Sequence, residues 1–385
     1  MDVRVLNTIN QCTPSQWDSL FDTEYPFLRH SFLSLLESSG SVCTRTGWEP
    51  KHILLEQDGR PIAAMPLYLK HHSWGEYVFD HSWADAYHDN GLAYYPKLVT
   101  AIPFTPATGP RIGLAPGIDP KILIPQLLET TQKLARQWGA SSWHLLFPEP
   151  ELALAMKTHK VMQRTGVQYH WNNANYGNFD DFINTFSSKK RKNILRERRT
   201  AHQNLQIKRL VGEQITPDWW EFIHVMYQRT YLKRSGTAGY LTENFFQNLG
   251  RAMGNQVMMC VAEGQSEEKE GNNKAAAALF FHDNQALYGR YWGCQQEFDF
   301  LHFELCYYQG IEFAIEQQLS RFDAGAQGEH KIKRGFKPVE TYSSHWINHA
   351  GFAEAIQRFL NQETPHIKQY ISEACELLPY KTPNK

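Results

Sequence analysis

The chain has 385 residues, of which 42% are hydrophobic and 13% aromatic, and its net charge is -1. This composition predicts a packed protein of two domains and excludes a disordered chain. Because the net charge is close to zero, no global field attracts nucleic acid or an anionic membrane, so such a partner would have to be recognised locally. The six cysteines form no C-x-x-C pair, and no apolar run is long enough to cross a membrane, so we expect a cytoplasmic protein with reduced thiols.

The first clear element is "HILLEQDGRPIAAMPLYLK", residues 52–70, in which Asp58-Gly59 joins two apolar runs and predicts an antiparallel hairpin. Residues 257–294 repeat the pattern with three strands, a charged loop after the first and Asp283-Asn284 after the second. In each half a helix and a short strand follow, with "PKILIPQLLETTQKLARQWG" and "SSWHLLFPEP" in the first, and "LHFELCYYQGIEFAIEQQLS" and "RFDAG" in the second. We therefore expect a duplicated arrangement, with domains at residues 1–180 and 181–385.

The first half carries an insertion at about residues 77–112 that is rich in Tyr, His, Asp, Pro and Gly and has poor periodicity. Two interpretations stay open for it. It is either a proline-braced loop whose aromatic rings cover the core, or a pocket wall that faces a substrate. In the second case the side chains facing the substrate would be those of Asp80, His81, Asp85, Tyr87 and His88.

The densest positive stretch, "SSKKRKNILRERRTAHQ", lies between the two halves and predicts a helix capped by Ser187 or Ser188. A charged run of this kind is either a solvated helix face or a surface that attracts the phosphates of a nucleotide, coenzyme A or tRNA. Its cations, opposed only by Glu197, are Lys189, Lys190, Arg191, Lys192, Arg196, Arg198 and Arg199.

Residues 321–341, "RFDAGAQGEHKIKRGFKPVET", combine proton-transfer groups, glycines and cations. Gly325 and Gly328 lack a Cβ and would let an anion approach backbone N–H groups. An alternative is an ordinary exposed loop that enters a last strand, "TYSSHWI". The groups able to move a proton are Asp323, Glu329 and His330, and those able to bind phosphate or carboxylate are Lys331, Lys333, Arg334 and Lys337.

Familiar catalytic motifs are missing from the sequence. It contains no G-x-S-x-G, no H-E-x-x-H and no G-x-G-x-x-G after a strand, so a serine hydrolase, a zinc protease or a dinucleotide enzyme loses support. The histidine pairs do not share a predicted helix face, and we therefore expect no metal site.

Several segments resemble the FemAB-like peptidoglycan aminoacyltransferases, in particular the uncharacterised branch described as peptidoglycan biosynthesis or recognition proteins. The segments are "SSKKRKNILRERR", "FIHVMYQRTYLKRSG", "YLTENFFQNL" and "GAQGEHKIKRGF", and the resemblance spans nearly the whole chain. It implies an α/β (α+β) fold of two tandem GNAT-like (acyl-CoA N-acyltransferase) domains with mixed, mainly antiparallel central sheets. The duplicated arrangement of strands and helices resembles the same fold.

The resemblance also implies site residues. "GEHKIKRGF" resembles a lysine-containing loop of the family that would hold the charged end of the donor, which gives a cofactor-binding set of Gln327, Gly328, Lys331 and Lys333. The expected proton acceptors are Glu329, Asp323 and His330. The expected substrate-binding residues are Arg290, Tyr291, Asp80, Asp85, Tyr87 and His88.

The implied activity is N-acyl or aminoacyl transfer from a charged carrier to an amino-group acceptor, such as a small molecule or a cell-wall precursor. We expect no tightly bound cofactor and no DNA partner. The helical hairpin arm that some relatives use to contact tRNA has no counterpart here, which weakens the expectation of tRNA as a partner and leaves acyl-CoA open as co-substrate. A second hypothesis is a catalytically inactive GNAT-fold protein that binds a cell-wall precursor or an amino sugar.

Overall fold

The computed structural model describes residues 1–21, 24–264, 274–326 and 328–381. The strands are β1 (Asp2–Leu6), β2 (Trp48–Pro50), β3 (His52–Gln57), β4 (Arg60–Met65), β5 (Tyr68–Lys70), β6 (Lys97–Thr100), β7 (Gly113–Leu114), β8 (Ser142–Leu146), β9 (Met162–Asn172), β10 (Leu205–Val211), β11 (Val257–Gly264), β12 (Lys274–His282), β13 (Ala286–Cys294), β14 (Arg321–Asp323) and β15 (Lys337–Ile347). The helices are α1 (Pro14–Asp18), α2 (His30–Ser38), α3 (His81–Asp89), α4 (Pro120–Gln137), α5 (Pro150–Thr158), α6 (Phe179–Asn184), α7 (Ser188–Ala201), α8 (Pro217–Ser235), α9 (Glu243–Met253), α10 (Leu301–Phe303), α11 (Gln309–Glu316) and α12 (Ala350–Glu376).

The chain forms two compact units. Unit 1 comprises Met1–Val167 and Glu340–Tyr370, and unit 2 comprises Gln168–Val339 and Ile371–Lys385. Residues 340–370 therefore group with the N-terminal part of the chain, whereas the sequence assigned them to the second domain. The domain limits 1–180 and 181–385 stay a prediction.

Unit 1 contains a four-stranded antiparallel sheet in the order β1-β3-β4-β7. The hairpin between β3 and β4 turns at Asp58 and Gly59, which both have positive φ values, 52° and 74°. Two-residue hairpins favour this geometry because it matches the twist of the strands. The predicted hairpin is confirmed for residues 52–65. β5 is not a continuation of this hairpin, because it pairs with β2 and β6 in a different sheet.

The second group of unit 1 strands has the order β15-β8-β6-β5-β2. β6 and β8 run parallel and the other pairs run antiparallel. Parallel neighbours need a crossover connection, and α4 lies in the connection between β6 and β8. Ile53, Leu98, Leu127 and Trp143 belong to one buried cluster, so both sheets and α4 share a hydrophobic core.

The predicted irregular insertion contains the regular elements α3 and β6. Its poor periodicity has a simple cause. Within the nine residues of α3 only Trp83 and Tyr87 are buried. The sequence of the helix therefore contains a single i, i+4 pair of buried aromatic residues, which is too short a pattern to reveal a helical period. Those two rings pack in a cluster with Ile347 and Leu360 of the same unit.

Unit 2 contains strands in the order β10-β11-β12-β13-β14-β9, of which β9 contributes the part from Gln168 onward, since its residues 162–167 belong to unit 1. β13 and β14 run parallel, with α10 and α11 in their connection, and the other pairs run antiparallel. The three predicted strands of residues 257–294 are confirmed as β11, β12 and β13, while most of the predicted charged loop lies outside the described residues. Each unit thus has one parallel pair joined through a helix, and the expected mixed, mainly antiparallel sheets are confirmed.

The segment from α10 to α11 is one continuous helical stretch in which Glu304–Tyr308 forms a π-helical turn. Such turns are rare and occur frequently at functional sites. Among the described residues, no helix combines the length and the apolar character that a membrane crossing requires.

Candidate functional site

Asp323, the last residue of β14 in unit 2, and the described residues after it, 324–326 and 328–336, are named the site loop here. Asp323 ends β14 and is only 3% exposed. Its Oδ1 accepts a hydrogen bond from the Gly325 backbone N–H at 2.8 Å, and its Oδ2 lies 3.8 Å from Nε2 of His170 on β9. The carboxylate therefore shapes the start of the site loop, directly beside a buried imidazole.

Lys331 closes the site loop from its other end. Its Nζ donates a hydrogen bond to the Gly325 carbonyl oxygen at 2.5 Å, and the residue is 1% exposed. Burial lowers the pKa of this ammonium to about 8, although the nearby Asp323 carboxylate acts in the opposite direction. Lys331 is therefore a lysine that can lose its charge within the physiological range while it holds two parts of the loop together.

His330 lies in the short 3₁₀ helix Glu329–Arg334, and its imidazole is exposed. Its Nε2 is 2.7 Å from the hydroxyl oxygen of Tyr307 in the π-helical turn. Partial burial, together with the positive charges of Arg334 and Lys331, lowers the pKa of His330 to about 4. The imidazole is consequently neutral at pH 7 and has one nitrogen able to accept a proton.

Arg334 fastens the site loop to two helical segments. Its guanidinium donates hydrogen bonds to the His330 carbonyl oxygen at 2.8 Å, the Tyr308 hydroxyl at 3.1 Å and Glu197 of α7 at 2.8 Å. Tyr308 also donates a hydrogen bond to the same Glu197 carboxylate. The guanidinium carbon lies 3.3 Å from the centre of the Phe303 ring, so a cation–π contact completes the anchor.

The other predicted residues of unit 2 have different environments. Glu329 and Lys333 are exposed, and Gly328 has a φ of 116° that an L residue rarely adopts. Tyr291 is buried, with its ring 5.2 Å from that of Tyr227, and burial raises the pKa of its phenol. Arg290 is half-buried, 5.7 Å from the Tyr291 ring. The predicted residue Gln327 lies outside the described residues.

Helix α7 has one structural face and one solvent face. It begins at Ser188 as predicted, although no side chain caps it. On the inner face Arg198 forms ion pairs with Glu304 at 3.0 Å and Glu312 at 2.9 Å. The outer face carries an exposed basic stripe at helical spacing, formed by Lys189, Lys192, Arg196 and Arg199.

The predicted substrate-binding residues of unit 1 separate into buried and exposed ones. Asp80 is 2% exposed and precedes α3, and the Tyr87 ring stacks on Phe352 with a centroid distance of 3.9 Å. Asp85 and His88 are exposed on α3. The structure therefore does not bring these four side chains together on one face.

Asp80 instead belongs to a buried polar row that sequence reasoning missed, formed on one face of β5, β6, β8 and β15. In the strand registers Lys70 is opposite Lys97, and His144 is opposite His345. Every member of the row and both of its carboxylates are less than 5% exposed. The members are Lys70, Lys97, His144 and His345, with carboxylates from Glu76 and Asp80.

Short contacts join the row. Lys97 Nζ lies 2.5 Å from Asp80 and 2.8 Å from Glu76, and the Tyr94 hydroxyl donates to Asp80 at 2.6 Å. His144 Nδ1 and His345 Nδ1 are 2.6 Å apart, so the two imidazoles share one proton in a hydrogen bond. Burial lowers the pKa of both imidazoles, which keeps this pair neutral at pH 7.

The residue types offered one signal for this row. Lys70 and Lys97 are charged residues inside or beside apolar runs, "PLYLK" and "PKLVTA", and His144 and His345 lie in the predicted strands "SSWHLL" and "TYSSHWI". Across the described ranges, no group of three or more His, Cys, Asp or Glu side chains is arranged to hold a metal ion.

Comparisons with known proteins agree with this fold. FemX shares it over 93% of this chain and 100% of its own, with a TM-score of 0.55 at 12% identity. A conserved protein of unknown function from Bacteroides thetaiotaomicron shares it over 89% of this chain and 99% of its own, with a TM-score of 0.51 at 12% identity. A tandem GNAT protein from the clavulanic acid biosynthesis pathway covers 90% of this chain, with a TM-score of 0.48 at 10% identity.

No curated protein matches the sequence significantly. The sequence model of the FemAB-like family, described as peptidoglycan biosynthesis/recognition, matches residues 8–382. The resemblance inferred from the sequence is confirmed, and so is the expected α/β fold with mixed, mainly antiparallel sheets. The chain belongs to the FemAB-like family.

Proposed function

We propose that the protein transfers an acyl group from a charged carrier, either acyl-CoA or aminoacyl-tRNA, to the amino group of an acceptor. The description of the family suggests a peptidoglycan precursor as the acceptor class. The observation that supports the proposal best is the site loop, where a neutral imidazole lies beside Tyr307 and Arg334, and where a buried lysine and a buried carboxylate both contact Gly325. Both donors are cytoplasmic molecules, so we also propose that the transfer takes place in the cytoplasm.

The chemistry needs no covalent enzyme intermediate. The acceptor nitrogen attacks the carbonyl carbon of the thioester or ester, and a C–N bond forms as the carbonyl electrons move onto oxygen. When the tetrahedral intermediate collapses, the C–S or C–O bond breaks and the carrier leaves with that electron pair. The nitrogen loses one proton, and the leaving sulfur or oxygen gains one, so the site must accept and return a proton.

His330 is our first choice for the proton acceptor. It is exposed and neutral at pH 7, and the tautomer that donates Nε2–H to Tyr307 leaves Nδ1 able to accept a proton. An anionic carrier beside Arg334 and Lys331 would offset their positive charges and raise the pKa of His330 toward the working pH. Glu329 is exposed and is the second choice, whereas Asp323 already accepts a hydrogen bond from the loop.

The carrier side of the proposal rests on position and charge. Glu197 joins α7 to Arg334, so the basic stripe and the site loop belong to directly contacting segments of unit 2. Lys333 is exposed in the loop and can reach a phosphate without breaking an internal bond, whereas Lys331 would first have to leave the Gly325 carbonyl. We therefore assign donor binding first to Lys333, with Gly328 and Lys331 shaping the loop and Gln327 kept as a sequence-based candidate.

Fewer residues can contact the acceptor than the sequence predicts. In unit 1 Asp80 and Tyr87 are buried, so Asp85 and His88 are the predicted residues that a ligand could contact from solvent. In unit 2 the corresponding residue is Arg290, which is half-buried. Tyr291 is packed among aromatic rings and would act through Arg290, whose guanidinium lies beside its ring. These assignments are proposals for substitution experiments.

A second candidate function is binding without turnover. The observation that favours it is that Asp323 and Lys331 both form hydrogen bonds within the loop. Asp323 accepts from the Gly325 N–H, and Lys331 donates to the Gly325 carbonyl oxygen. A loop of this kind can be a rigid recognition element with no proton-transfer group except the exposed His330 and Glu329.

Two variants separate these candidates. Purified protein would be tested for thermal stabilisation by acetyl-CoA, by free CoA and by aminoacyl-tRNA, because a ligand that binds the native state raises its apparent stability. For transfer, we expect Lys333→Ala to reduce the shift given by the true donor. We expect His330→Gln to keep that shift and to lower turnover by about 100-fold or more.

The control is Lys121→Ala, an exposed lysine of unit 1 that should change neither measurement. A shift with CoA species alone identifies an acyl-CoA donor, and a shift with tRNA alone identifies the aminoacyl route. Binding of an acceptor without turnover by any donor supports the recognition protein. A His330→Gln variant with full turnover contradicts our assignment of the base.

A further inference from the structure

Residues 71–80 of unit 1 connect β5 to α3 and are named the strap here. The strap supplies both carboxylates of the polar row, Glu76 and Asp80. Two of its large apolar side chains, those of Trp74 and Phe79, are 62% and 59% exposed and contribute little buried area. Polar contacts therefore contribute to its attachment.

These contacts come from cations beneath and beside the strap. Lys97 Nζ donates to Ser73 Oγ, Glu76 and Asp80, while Lys70 Nζ donates to the Trp74 carbonyl oxygen at 3.0 Å. Arg164 donates to the Phe79 carbonyl oxygen at 2.6 Å. Three cations thus fasten a segment ten residues long at its start, middle and end.

The buried charges form two pairs of unequal quality. Lys97 and Asp80 make a contact of 2.5 Å, and Glu76 also contacts Lys97. Lys70 Nζ hydrogen-bonds a neutral acceptor, the Trp74 carbonyl oxygen, and lies 3.6 Å from the face of Trp48. The Glu76 carboxylate is 3.9 Å away from it, too far for a hydrogen bond. Glu76 Oε2 contacts Lys97, but among the described residues its buried Oε1 has no hydrogen-bond partner. Because a buried charge is costly unless it is well paired, Lys70 and this half of the Glu76 carboxylate are the less well compensated charges.

We propose that the strap is a proton-linked clasp that opens and closes over the polar row, and that Lys70 and Glu76 make its closed state weakest near neutral pH. The clasp is a conformational property of unit 1. It goes beyond the proposed transfer and does not depend on it.

The direction of the pH dependence follows from the protons that are bound or released when the strap opens. Burial raises the pKa of Glu76 from 4.5 to about 7 and lowers that of Lys70 from 10.5 to about 7. Opening returns both groups to water, so between pH 4.5 and 7 it releases a proton from Glu76 and is favoured as the pH rises. Between pH 7 and 10.5 opening adds a proton to Lys70 and is disfavoured as the pH rises.

The other titratable groups around the clasp do not cancel this behaviour. The pKa of Asp80 is lowered, because Lys97 outweighs the effect of burial, and the pKa of Lys97 is raised by its two carboxylates, so both stay charged near neutrality. Burial holds both row histidines and His72 neutral and raises the pKa of the two tyrosines. The groups facing the clasp are His72, Asp80, Tyr94, Tyr95, Lys97, His144, His345 and, from β9, Arg164.

Hydrogen exchange of the full chain tests the clasp. The Phe104 backbone N–H donates to the Gly75 carbonyl oxygen at 3.2 Å, so its exchange reports release of the strap. Rates measured from about pH 5.5 to about pH 8.5 and divided by the intrinsic exchange rate give the opening constant at each pH. We expect a maximum near pH 7, with a decrease of up to about tenfold per pH unit on either side.

Substitutions identify which residue causes the pH dependence of opening on each side of the maximum. Glu76→Gln should remove the dependence below neutrality, and Lys70→Met should remove it above. The matched control is the pair Glu49→Gln and Lys51→Met, which removes a partly exposed ion pair of the same unit and should leave the maximum in place. If either row variant does not fold, the wild-type profile decides alone, and an opening constant that is flat or monotonic with pH overturns the proposal.

Discussion

Two lysines, Lys97 in unit 1 and Lys331 in unit 2, are almost equally buried, but their pKa values are shifted in opposite directions. Lys97 is 0% exposed and contacts two carboxylates, which raise its pKa despite the effect of burial. Lys331 is 1% exposed and donates to a carbonyl oxygen, and burial lowers its pKa to about 8. Burial alone therefore does not determine the charge of a lysine, because the charges of its partners decide whether the desolvation cost is offset.

The comparison also separates two kinds of site. The polar row of unit 1 is a set of mutually paired charges that holds a segment in place. The site loop of unit 2 concentrates cations around a neutral imidazole, with Lys331, Arg334 and His330 close together. An excess of positive charge with an exposed base suits an anionic ligand, whereas a buried network of opposite charges suits the attachment of a chain segment such as the strap.

The largest effect should come from Lys97→Met. This change leaves Asp80 and Glu76 buried without their main counter-ion, which we expect to cost about 3–5 kcal/mol of unfolding free energy. Urea unfolding of the variant and of Lys121→Met, an exposed control, measures it. A loss no larger than that of the control would show that the contacts of Lys97 contribute little.

A smaller and pH-dependent effect should come from Lys331→Met. The folded pKa of Lys331 is about 8 against an ordinary 10.5, so between these values the unfolded chain binds one more proton than the folded chain. The contribution of Lys331 to stability therefore rises with pH in that window, by at most about 1.4 kcal/mol per pH unit.

Urea unfolding of wild type and variant at about pH 8 and about pH 10 measures the difference in slope. Lys97 has the opposite sign, since its raised pKa keeps its contribution in full below pH 10.5 and loses it as the pH rises through the folded value. Equal slopes for wild type and Lys331→Met would contradict the lowered pKa.

The smallest effect should come from Lys208→Gln. Lys208 pairs with Glu263 across β10 and β11, with side-chain exposures of 45% and 29%. Solvent screens such a pair, so we expect a change of less than about 0.5 kcal/mol in unfolding free energy. Urea unfolding of Lys208→Gln and of Lys97→Met at low and at high salt measures the contrast between surface and buried pairs. A loss of unfolding free energy for Lys208→Gln as large as that for Lys97→Met would reverse our ranking.

The local elements could be predicted from the sequence because their signals are local. Asp58-Gly59 gave the turn of the hairpin, the spacing of Leu123, Leu127 and Leu128 gave α4, and the serines before the basic run gave the start of α7. The grouping of Asp323, His330 and Lys331 in one loop was also predictable, since they lie within a few residues of each other. Helix α3 was missed because only Trp83 and Tyr87 mark its buried face.

The sequence by itself determined most of the strands and helices, which family the chain resembles, and where cations and proton-transfer groups concentrate. Only the tertiary structure decided which of these groups are buried and with whom they pair. Lys70, Lys97, His144 and His345 form one row because the registers of four strands place them on the same face. Register and burial depend on contacts between distant parts of the chain, and no local pattern encodes them.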